Sequence, residues 1–246
     1  MESKISLQRR IELEGLHNLR DLGGYPTHTG RTTRWGRIYR SDSPERLLPP
    51  GQQALVEQGV AVMIDLRTPY EVSKFPSVFA PSQVVKYHHM PVLKDDDAKA
   101  LGNIDEVEAI NYYVLDACQS NIREVMSRIA SSQPDPVLIH CVAGKDRTGL
   151  ISALMLGLAG VPAEVIAEDY ALSHSCLTVK IEEWRAEALA AGKDMAQFER
   201  NMACAPETML LTLDYLKNNY GGVEGYSRFI GLSEDEIETL KATLVE

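Results

Sequence analysis

The chain has 246 residues, of which 44% are hydrophobic, and it carries a formal net charge of −10 at pH 7. This length and composition fit one well-buried globular domain, and the negative charge argues against nucleic acid or an anionic membrane surface as the main partner. The longest uncharged run, residues 148–163, is shorter than the roughly 20 apolar residues that a transmembrane helix needs.

The N-terminal residues and the spacing of the cysteines indicate the cellular compartment of the protein. Residues 1–15 contain charges throughout and lack the apolar core of a signal peptide, so we expect a cytoplasmic protein. The four cysteines, at positions 118, 141, 176 and 204, show no spacing typical of a zinc site or a disulfide framework. We therefore expect no metal and no cofactor, and a reducing compartment suits a reactive thiol.

The first half of the chain alternates helical and strand patterns. Residues 52–58 predict a short helix that Gly59 ends, and the near-continuous apolar run at 60–66 is typical of a strand covered on both faces. Strand character returns over residues 84–92. Apolar residues at helical spacing then predict one helix over 105–129.

The second half begins with a strand and continues as helices. The apolar run at 136–139 predicts a buried strand, and residues 150–156 predict the buried helix that follows it. Further helices are predicted over 179–191, 194–203 and 206–220. Strands alternating with helices indicate an α/β fold, in which helices flank a central, mostly parallel sheet, followed here by a C-terminal helical extension.

The ten residues after the 136–139 strand read His-Cys-Val-Ala-Gly-Lys-Asp-Arg-Thr-Gly, positions 140–149. A loop that leads from a strand into a helix turns its backbone N–H groups inward at the positive end of the helix dipole, and this cradle fits a phosphate dianion. We name residues 141–147 the phosphate loop. Its predicted phosphate-binding residues are Val142, Ala143, Gly144, Lys145, Asp146, Arg147 and the adjoining Thr148.

Cys141 and Arg147 make this anion site a predicted site of covalent phosphate chemistry. The helix N-terminus, the inward N–H groups and Arg147 all favour the thiolate of Cys141, and the planar guanidinium matches two phosphoryl oxygens at once. Full ionisation of a cysteine lowers the barrier by only about 2 kcal/mol, whereas phosphate-monoester hydrolysis can require more than about 20 kcal/mol. Most of the acceleration must therefore come from positioning. Thr148 is predicted either to donate a hydrogen bond to the sulfur or to serve the first helical turn.

These residues carry a resemblance to a known family. Residues 140–149 are similar to the phosphate loop of the cysteine-dependent protein tyrosine phosphatases. The form Ala-Gly-Lys-Asp-Arg-Thr-Gly resembles their bacterial and fungal branch of atypical tyrosine and dual-specificity phosphatases. Further stretches resemble that branch along most of the chain, at positions 18–25, 39–42, 62–67, 220–224 and 231–233.

The resemblance implies a tyrosine/dual-specificity phosphatase-like fold and a single phosphatase domain over residues 1–246, with an N-terminal tail at 1–14. It implies an enzyme that hydrolyses phosphomonoesters through a cysteinyl-phosphate, most simply a protein tyrosine phosphatase of dual or broad specificity whose partner is a phosphorylated protein or peptide. Some members of the branch also cleave phosphoinositides, so a phosphoinositide or inositol phosphate phosphatase is the alternative. Residues 176–205 resemble a helical insertion that covers the active site as a lid in some relatives, and an ordinary packed helical pair is the equal alternative.

The leaving oxygen needs a general acid, and three groups of carboxylates compete for this role. Asp146 lies inside the phosphate loop, and relatives with this Lys-Asp pair imply that it carries the proton or orients the water, so we favour it. Residues 95–97, three adjacent aspartates, lie where related phosphatases place a mobile acid loop, although such a run is usually a solvated turn. Asp65, at the end of a buried strand, is the third candidate, and its alternative role is an ion pair with Arg67 or an N-terminal arginine.

Other polar residues near the loop have open roles. Lys145 is predicted to lie at the floor or rim of the site, where it resembles the lysine of phosphoinositide phosphatases, or else to face solvent. His140 is predicted to be buried and to hold the loop backbone. Arg20 and Asp21 are predicted either to brace the site as a charge pair or to contact the substrate.

Two functions of other classes compete with the phosphatase. A phosphate-recognition module without turnover needs no nucleophile, so the presence of Cys141, Asp146 and Arg147 disfavours it. A sulfurtransferase of the rhodanese kind also places a cysteine in a strand-to-helix anion loop, but the spacing to Arg147 and the Thr-Gly ending fit it poorly.

Overall fold

A sheet of parallel and antiparallel strands lies at the centre of the fold. The computed structural model describes residues 9–101, 104 and 106–245, and within these residues the sheet has five strands in the order β1-β2-β5-β3-β4. The strands are β1 Arg20–Asp21, β2 Ile38–Ser41, β3 Val62–Asp65, β4 Lys86–His89 and β5 Val137–His140. Strand β1 pairs antiparallel with β2, and the other neighbours are parallel.

Helices cover both sides of this sheet. They are α1 Pro49–Glu57, α2 Pro69–Lys74, α3 Asp95–Leu101, α4 Val107–Ala117, α5 Gln119–Ser131, α6 Asp146–Leu158, α7 Ala163–Ala190, α8 Met195–Met202, α9 Pro206–Tyr220, α10 Val223–Phe229 and α11 Glu234–Leu244. This architecture confirms the predicted α/β fold with a mostly parallel sheet. Within the described residues, no helix is both long enough and apolar enough to cross a membrane.

The central strand β5 is buried on both faces, which explains its unbroken apolar sequence. Val137 and Ile139 enter the larger hydrophobic cluster with α5, α6 and α11, whereas Leu138 enters a smaller cluster on the other face, beside Leu55 of α1. Side chains alternate between the faces of a strand, so one apolar run supplies two cores. The chain therefore leaves β5 from the middle of the sheet, at its carboxyl edge, where open α/β sheets bind ligands.

Two helix predictions differ from the structure. The predicted helix over 105–129 is two helices, α4 and α5, because Cys118 leaves the helical conformation between them; Asp105 lies outside the described residues. The change of direction lets α4 pack on α9 while α5 packs on α11. Periodicity reports an apolar face but not which partner covers it.

The helix predicted over 179–191 is only the end of α7, which begins at Ala163. Its first half buries Asp169 and Ser173 beside apolar residues, so the apolar pattern is interrupted there. Helix α1 likewise begins at Pro49 rather than at residue 52, and proline suits the first helical turn.

The predicted N-terminal tail spans residues 1–14, of which 1–8 lie outside the described residues. Arg9 packs on the domain: its guanidinium lies 3.6 Å from the centre of the Tyr25 ring. It also donates hydrogen bonds to the carbonyl oxygens of Gly23 and Gly24. Residues 9–14 therefore form part of the surface beside β1.

Candidate active site

The phosphate loop begins directly after β5 and runs into the first turn of α6, as the sequence predicts. Cys141 is only 3% exposed and lies at the base of the loop. His140 is fully buried, and its Nδ1 lies 3.1 Å from the carbonyl oxygen of Cys141, to which it donates. This confirms the prediction that His140 holds the loop backbone.

The carbonyl groups of residues 142–145 point away from the centre of the loop, and each accepts a hydrogen bond from outside it. The donors are Ser43 N to Val142 (2.9 Å), Asn18 Nδ2 to Ala143 (2.9 Å) and Gly144 (3.0 Å), and the Arg40 guanidinium to Gly144 (2.6 Å) and Lys145 (3.2 Å). Since the peptide unit is planar, outward carbonyls turn the following N–H groups inward. Within the described chain, no N–H group of residues 142–148 donates to a protein acceptor, so the loop presents its N–H groups to an anion.

Gly144 permits the close approach between the phosphate loop and β2. Its φ is +66°, and a Cβ atom there would lie 2.2 Å from the carbonyl oxygen of Ser41. Any side chain would therefore push the loop away from the strand that supplies Arg40.

Arg147 is oriented by Glu71, which lies in α2. The guanidinium donates to both carboxylate oxygens, at 2.6 Å and 2.9 Å, through its two terminal nitrogens. Burial opposes the charge of Arg147, but Cys141 and Glu71 outweigh burial and raise the pKa of the guanidinium. The edge formed by Nε–H and the second terminal nitrogen stays available, and such an edge binds two phosphoryl oxygens.

Asp146 faces a cavity of about 280 Å³ that Arg147 also lines. Its Oδ1 accepts a hydrogen bond of 2.9 Å from the hydroxyl of Tyr170, which is buried in α7. The other walls are mostly apolar and include Leu150 and Met202. The carboxylate is therefore held at the wall of a cavity that adjoins the phosphate loop.

The other candidate acids are engaged elsewhere. Asp95 accepts a hydrogen bond from the backbone N–H of Tyr70, and Asp97 accepts one from the hydroxyl of Tyr113. These aspartates form the first turn of α3, and although the flanking Leu93 and Leu101 line the cavity, the aspartates themselves do not. They therefore act as structural acceptors.

Asp65 is fully buried and pairs with Arg67, the first of its two predicted partners, at 2.6 Å. It also accepts a hydrogen bond of 2.7 Å from the hydroxyl of Tyr87. Burial opposes its ionisation, but the neighbouring His140 and Arg67 outweigh burial and lower the pKa of Asp65 to about 2. A carboxyl group with this pKa is ionised near neutral pH and has no proton to give to a leaving group.

The Lys145 side chain lies beside the carboxylate of the loop, since its Nζ is 3.5 Å from Oδ1 of Asp146, and this agrees with a placement at the floor or rim of the site. It is 3% exposed, so it does not face solvent, and its Nζ contacts the carbonyl oxygens of Asn201 and Ala203 at the end of α8. A cation suits a helix C-terminus, where carbonyl groups lack partners. The lysine therefore ties α8 to the phosphate loop and places its ammonium next to the Asp146 carboxylate.

Thr148 is fully buried, and among the described residues its hydroxyl has no hydrogen-bond partner. Neither predicted bond, to the sulfur or to the helical turn, is formed in this structure.

Arg20 and Asp21 also differ from the prediction, since they do not pair with each other. Arg20 pairs with Asp169 of α7, and Asp21 accepts from backbone N–H groups.

Sequence reasoning missed four residues of this site: Glu71, Arg40, Asp169 and Tyr170. Glu71 had a readable signal, because Thr68-Pro69-Tyr70-Glu71 forms a capping box that starts α2 next to the end of β3. The other three lie on elements whose contact with the loop depends on the tertiary fold.

Comparisons with known proteins agree with this geometry. The tyrosine phosphatase family matches residues 11–246. A tyrosine-protein phosphatase of Nostoc commune is 35% identical over 208 residues, which cover 81% of this chain and 71% of that protein. The triple specificity protein phosphatase PtpB of Mycobacterium tuberculosis is 27% identical over 285 aligned residues, which cover 95% of this chain and 98% of that protein.

Proposed function

The chain belongs to the tyrosine phosphatase family, and we propose that it hydrolyses phosphomonoesters through a phosphocysteine formed on Cys141. Family membership confirms the predicted class of enzyme, a cysteine-dependent tyrosine phosphatase. One observation carries the assignment of the residues: every carbonyl of residues 142–145 is bonded away from the loop, which leaves a ring of N–H groups above Cys141.

In the first step the Cys141 thiolate attacks phosphorus in line with the ester oxygen. The S–P bond forms while the P–O bond breaks, and the charge on the three equatorial oxygens is held by the loop N–H groups and by Arg147. Donors fixed before the reaction stabilise this charge without reorganisation, and one such donor is worth about 3 kcal/mol.

Asp146 supplies the proton that the leaving oxygen takes up. Its support is its place beside Arg147 on the wall of the cavity, together with the engagement of Asp65, Asp95 and Asp97 in other contacts. In the second step Asp146, now ionised, takes a proton from water as the water attacks phosphorus. The S–P bond breaks, phosphate leaves and the Cys141 thiolate is restored.

Phosphorylated proteins or peptides are the substrates that we propose, with phosphotyrosine as one accepted residue. The cavity of about 280 Å³ beside Asp146 is largely apolar and suits an aromatic leaving group. The phosphoinositide alternative depends on the charge of Lys145, and this ammonium is already bound by carbonyl oxygens at the end of α8 and by Asp146, so we favour the phosphopeptide. A reactive thiol also needs a reducing compartment, for which we propose the cytoplasm.

Helix α8 is the part of segment 176–205 that we propose as a lid. None of its residues is buried, and a space of about 640 Å³ separates part of it from α7. Asn201 and Met202, at its end, line the same cavity as Asp146 and Arg147. A weakly packed helix at the mouth of a site is suited to opening and closing.

One assay tests the proposed function. An aryl phosphate is incubated in EDTA with the wild type and with Cys141→Ser, and parallel samples with phosphate-labelled ester are quenched in acid. We expect turnover by the wild type only, with label trapped on the peptide that contains Cys141. Normal hydrolysis without label on this residue would overturn the mechanism. Phosphate binding without any turnover would indicate a recognition module, and transfer of sulfur from thiosulfate to cyanide would indicate a sulfurtransferase.

A further inference from the structure

A single buried carboxylate, Asp169 of α7, lies behind the phosphate loop between two arginines. Its Oδ1 accepts from Arg20 Nε at 2.9 Å, and its Oδ2 accepts from Arg40 at 2.6 Å. The hydroxyl of Tyr25 donates to the same carboxylate at 2.7 Å. All four side chains are at least 97% buried, so water does not share these contacts.

Arg20 and Arg40 are directly opposite each other on β1 and β2. Two like charges in this position repel, and burial removes the water that would screen them. Asp169 is the acid that both arginines share. Burial opposes its ionisation, but Arg20 and Arg40 outweigh burial and hold the pKa of Asp169 well below its usual range. The carboxylate is therefore what makes two adjacent buried guanidinium groups stable.

Two chains of hydrogen bonds, here called branches, connect Asp169 to the phosphate loop. The first branch passes through Arg40. The same guanidinium that contacts Asp169 donates to the carbonyl oxygens of Gly144 at 2.6 Å and Lys145 at 3.2 Å. A charged donor on a carbonyl polarises that peptide unit, so the N–H groups of Lys145 and Asp146 become stronger donors towards the anion.

The second branch passes through Arg20 and Asn18. Arg20 donates to the side-chain oxygen of Asn18, which fixes the amide so that its Nδ2 donates to Ala143 and Gly144. Both branches thus end at the carbonyl oxygen of Gly144, where Arg40 and Asn18 each donate a hydrogen bond, and both begin at the carboxylate of Asp169. This convergence links α7 to the orientation of the loop peptides.

We propose that Asp169 is a positioning residue of the phosphate loop, which sets the direction and strength of its N–H donors through Arg40 and through the Arg20–Asn18 pair. The inference rests on the proposed function, since the loop is the site of the reaction. Asp169 touches neither the phosphate nor Cys141, so it acts on the reaction only through other residues.

The test is Asp169→Asn, which keeps the size of the side chain and removes its charge. Alkylation of Cys141 by iodoacetamide is followed against pH by mass spectrometry, with and without inorganic phosphate. Because weaker donors stabilise the thiolate less, we expect the pH midpoint of alkylation to rise by about one unit. We also expect protection by phosphate to weaken, with kcat/KM falling about tenfold or more. These readouts separate positioning from a purely structural role, which would lower only the unfolding temperature.

Asp116→Asn is the matched control. Like Asp169, Asp116 accepts from tyrosine hydroxyls, here those of Tyr215 and Tyr220, but it is an exposed residue of α4 and these partners belong to α9 rather than to the loop. We expect this variant to keep the wild-type alkylation midpoint and the wild-type protection by phosphate.

A folded Asp169→Asn protein with the wild-type alkylation midpoint and phosphate protection would overturn the proposal. Should that variant fail to fold, Asn18→Ala decides, since it removes the second branch without removing a buried charge. A smaller rise of the midpoint supports the proposal, and an unchanged midpoint overturns it. Failure of the proposed function is distinguishable, because it would appear as a wild type without turnover.

Discussion

The guanidinium of Arg147 and the carboxylate of Glu71 form a bidentate ion pair across 76 residues of chain, with N–O distances of 2.6 Å and 2.9 Å. Glu71 is itself fixed, because its Oε2 also accepts from the backbone N–H of Thr68 in the capping box of α2. The helix cap therefore aligns Arg147, the arginine that we propose to hold the transferring phosphoryl group.

Glu71→Gln should lower turnover without unfolding α2. Glutamine can replace glutamate in a capping box, but it offers Arg147 one neutral acceptor instead of a charged pair. Losing a hydrogen bond to a charged group costs about 1.5–3 kcal/mol, which corresponds to a fall in kcat/KM of about 10- to 160-fold. Steady-state kinetics with an aryl phosphate measure this fall.

Thr68→Ala is the control for that variant, because it breaks the capping box without removing the partner of Arg147. We expect it to lower the free energy of unfolding by about 1 kcal/mol and to keep most of the turnover. Equal kinetics for Glu71→Gln and the wild type would contradict the positioning role of Glu71.

Asp146→Asn should change how the rate depends on the leaving group. An amide accepts the hydrogen bond from Tyr170 but cannot give up a proton, so an alkyl phosphate should lose about 100-fold or more in kcat. An activated aryl phosphate, which leaves without a proton, should lose little. For the poor leaving group the basic limb of the pH–rate profile should flatten.

Asp95→Asn serves as the comparison for the general acid, since Asp95 accepts from the N–H of Tyr70 outside the cavity. We expect this variant to keep the wild-type dependence on the leaving group. The opposite pattern, with Asp95→Asn impaired for poor leaving groups and Asp146→Asn unaffected, would move the role of general acid to α3.

The phosphate loop was predictable from the sequence because all its parts are local. A buried strand, a glycine-containing loop and a helix start follow one another within residues 137–149, and their order alone directs the N–H groups of the loop. The pairing of Asp65 with Arg67 was predictable for the same reason, as only one residue separates them.

The partners of the loop were not predictable, because they come from distant segments. Asp169 reaches Arg40 across 129 residues, and Lys145 reaches Ala203 across 58. Each contact depends on where a helix crosses the sheet edge or where it ends. The ammonium of Lys145 was expected at the site and lies 3.5 Å from Asp146, but its contact with the end of α8 was not predictable, because it depends on where that helix ends.

Asp65→Asn should destabilise the fold most strongly above pH 4. Arg67 and His140 hold the pKa of Asp65 at about 2 in the folded protein, against about 3.9 in the unfolded chain. A lowered pKa contributes stability that is complete above the unfolded value and is lost as the pH falls through the folded value. At pH 7 we expect a loss of about 3 kcal/mol, because a buried partner of Arg67 is neutralised.

Urea unfolding at several pH values measures the effect of Asp65→Asn. The difference from the wild type should shrink by about 2 kcal/mol between pH 4 and pH 2, as the wild-type carboxylate takes up its proton. Asp135→Asn is the control, since Asp135 pairs with Lys86 on the surface and such pairs contribute at most about 1 kcal/mol. A pH-independent difference for Asp65→Asn would contradict the assigned ion pair.

Lys145→Met should loosen α8, because the ammonium of Lys145 joins the carbonyl oxygens of Asn201 and Ala203 to the phosphate loop. Hydrogen exchange followed by mass spectrometry should show faster exchange over α8 in this variant than in the wild type. In the wild type we expect α8 to exchange faster than α6 and to slow when phosphate binds.

Arg185→Met is the control, since Arg185 pairs with Glu199 of α8 on the surface, where ion pairs contribute little. Protection of α8 equal to that of α6 without phosphate, and unchanged by Lys145→Met, would show that α8 is a fixed helix rather than a lid.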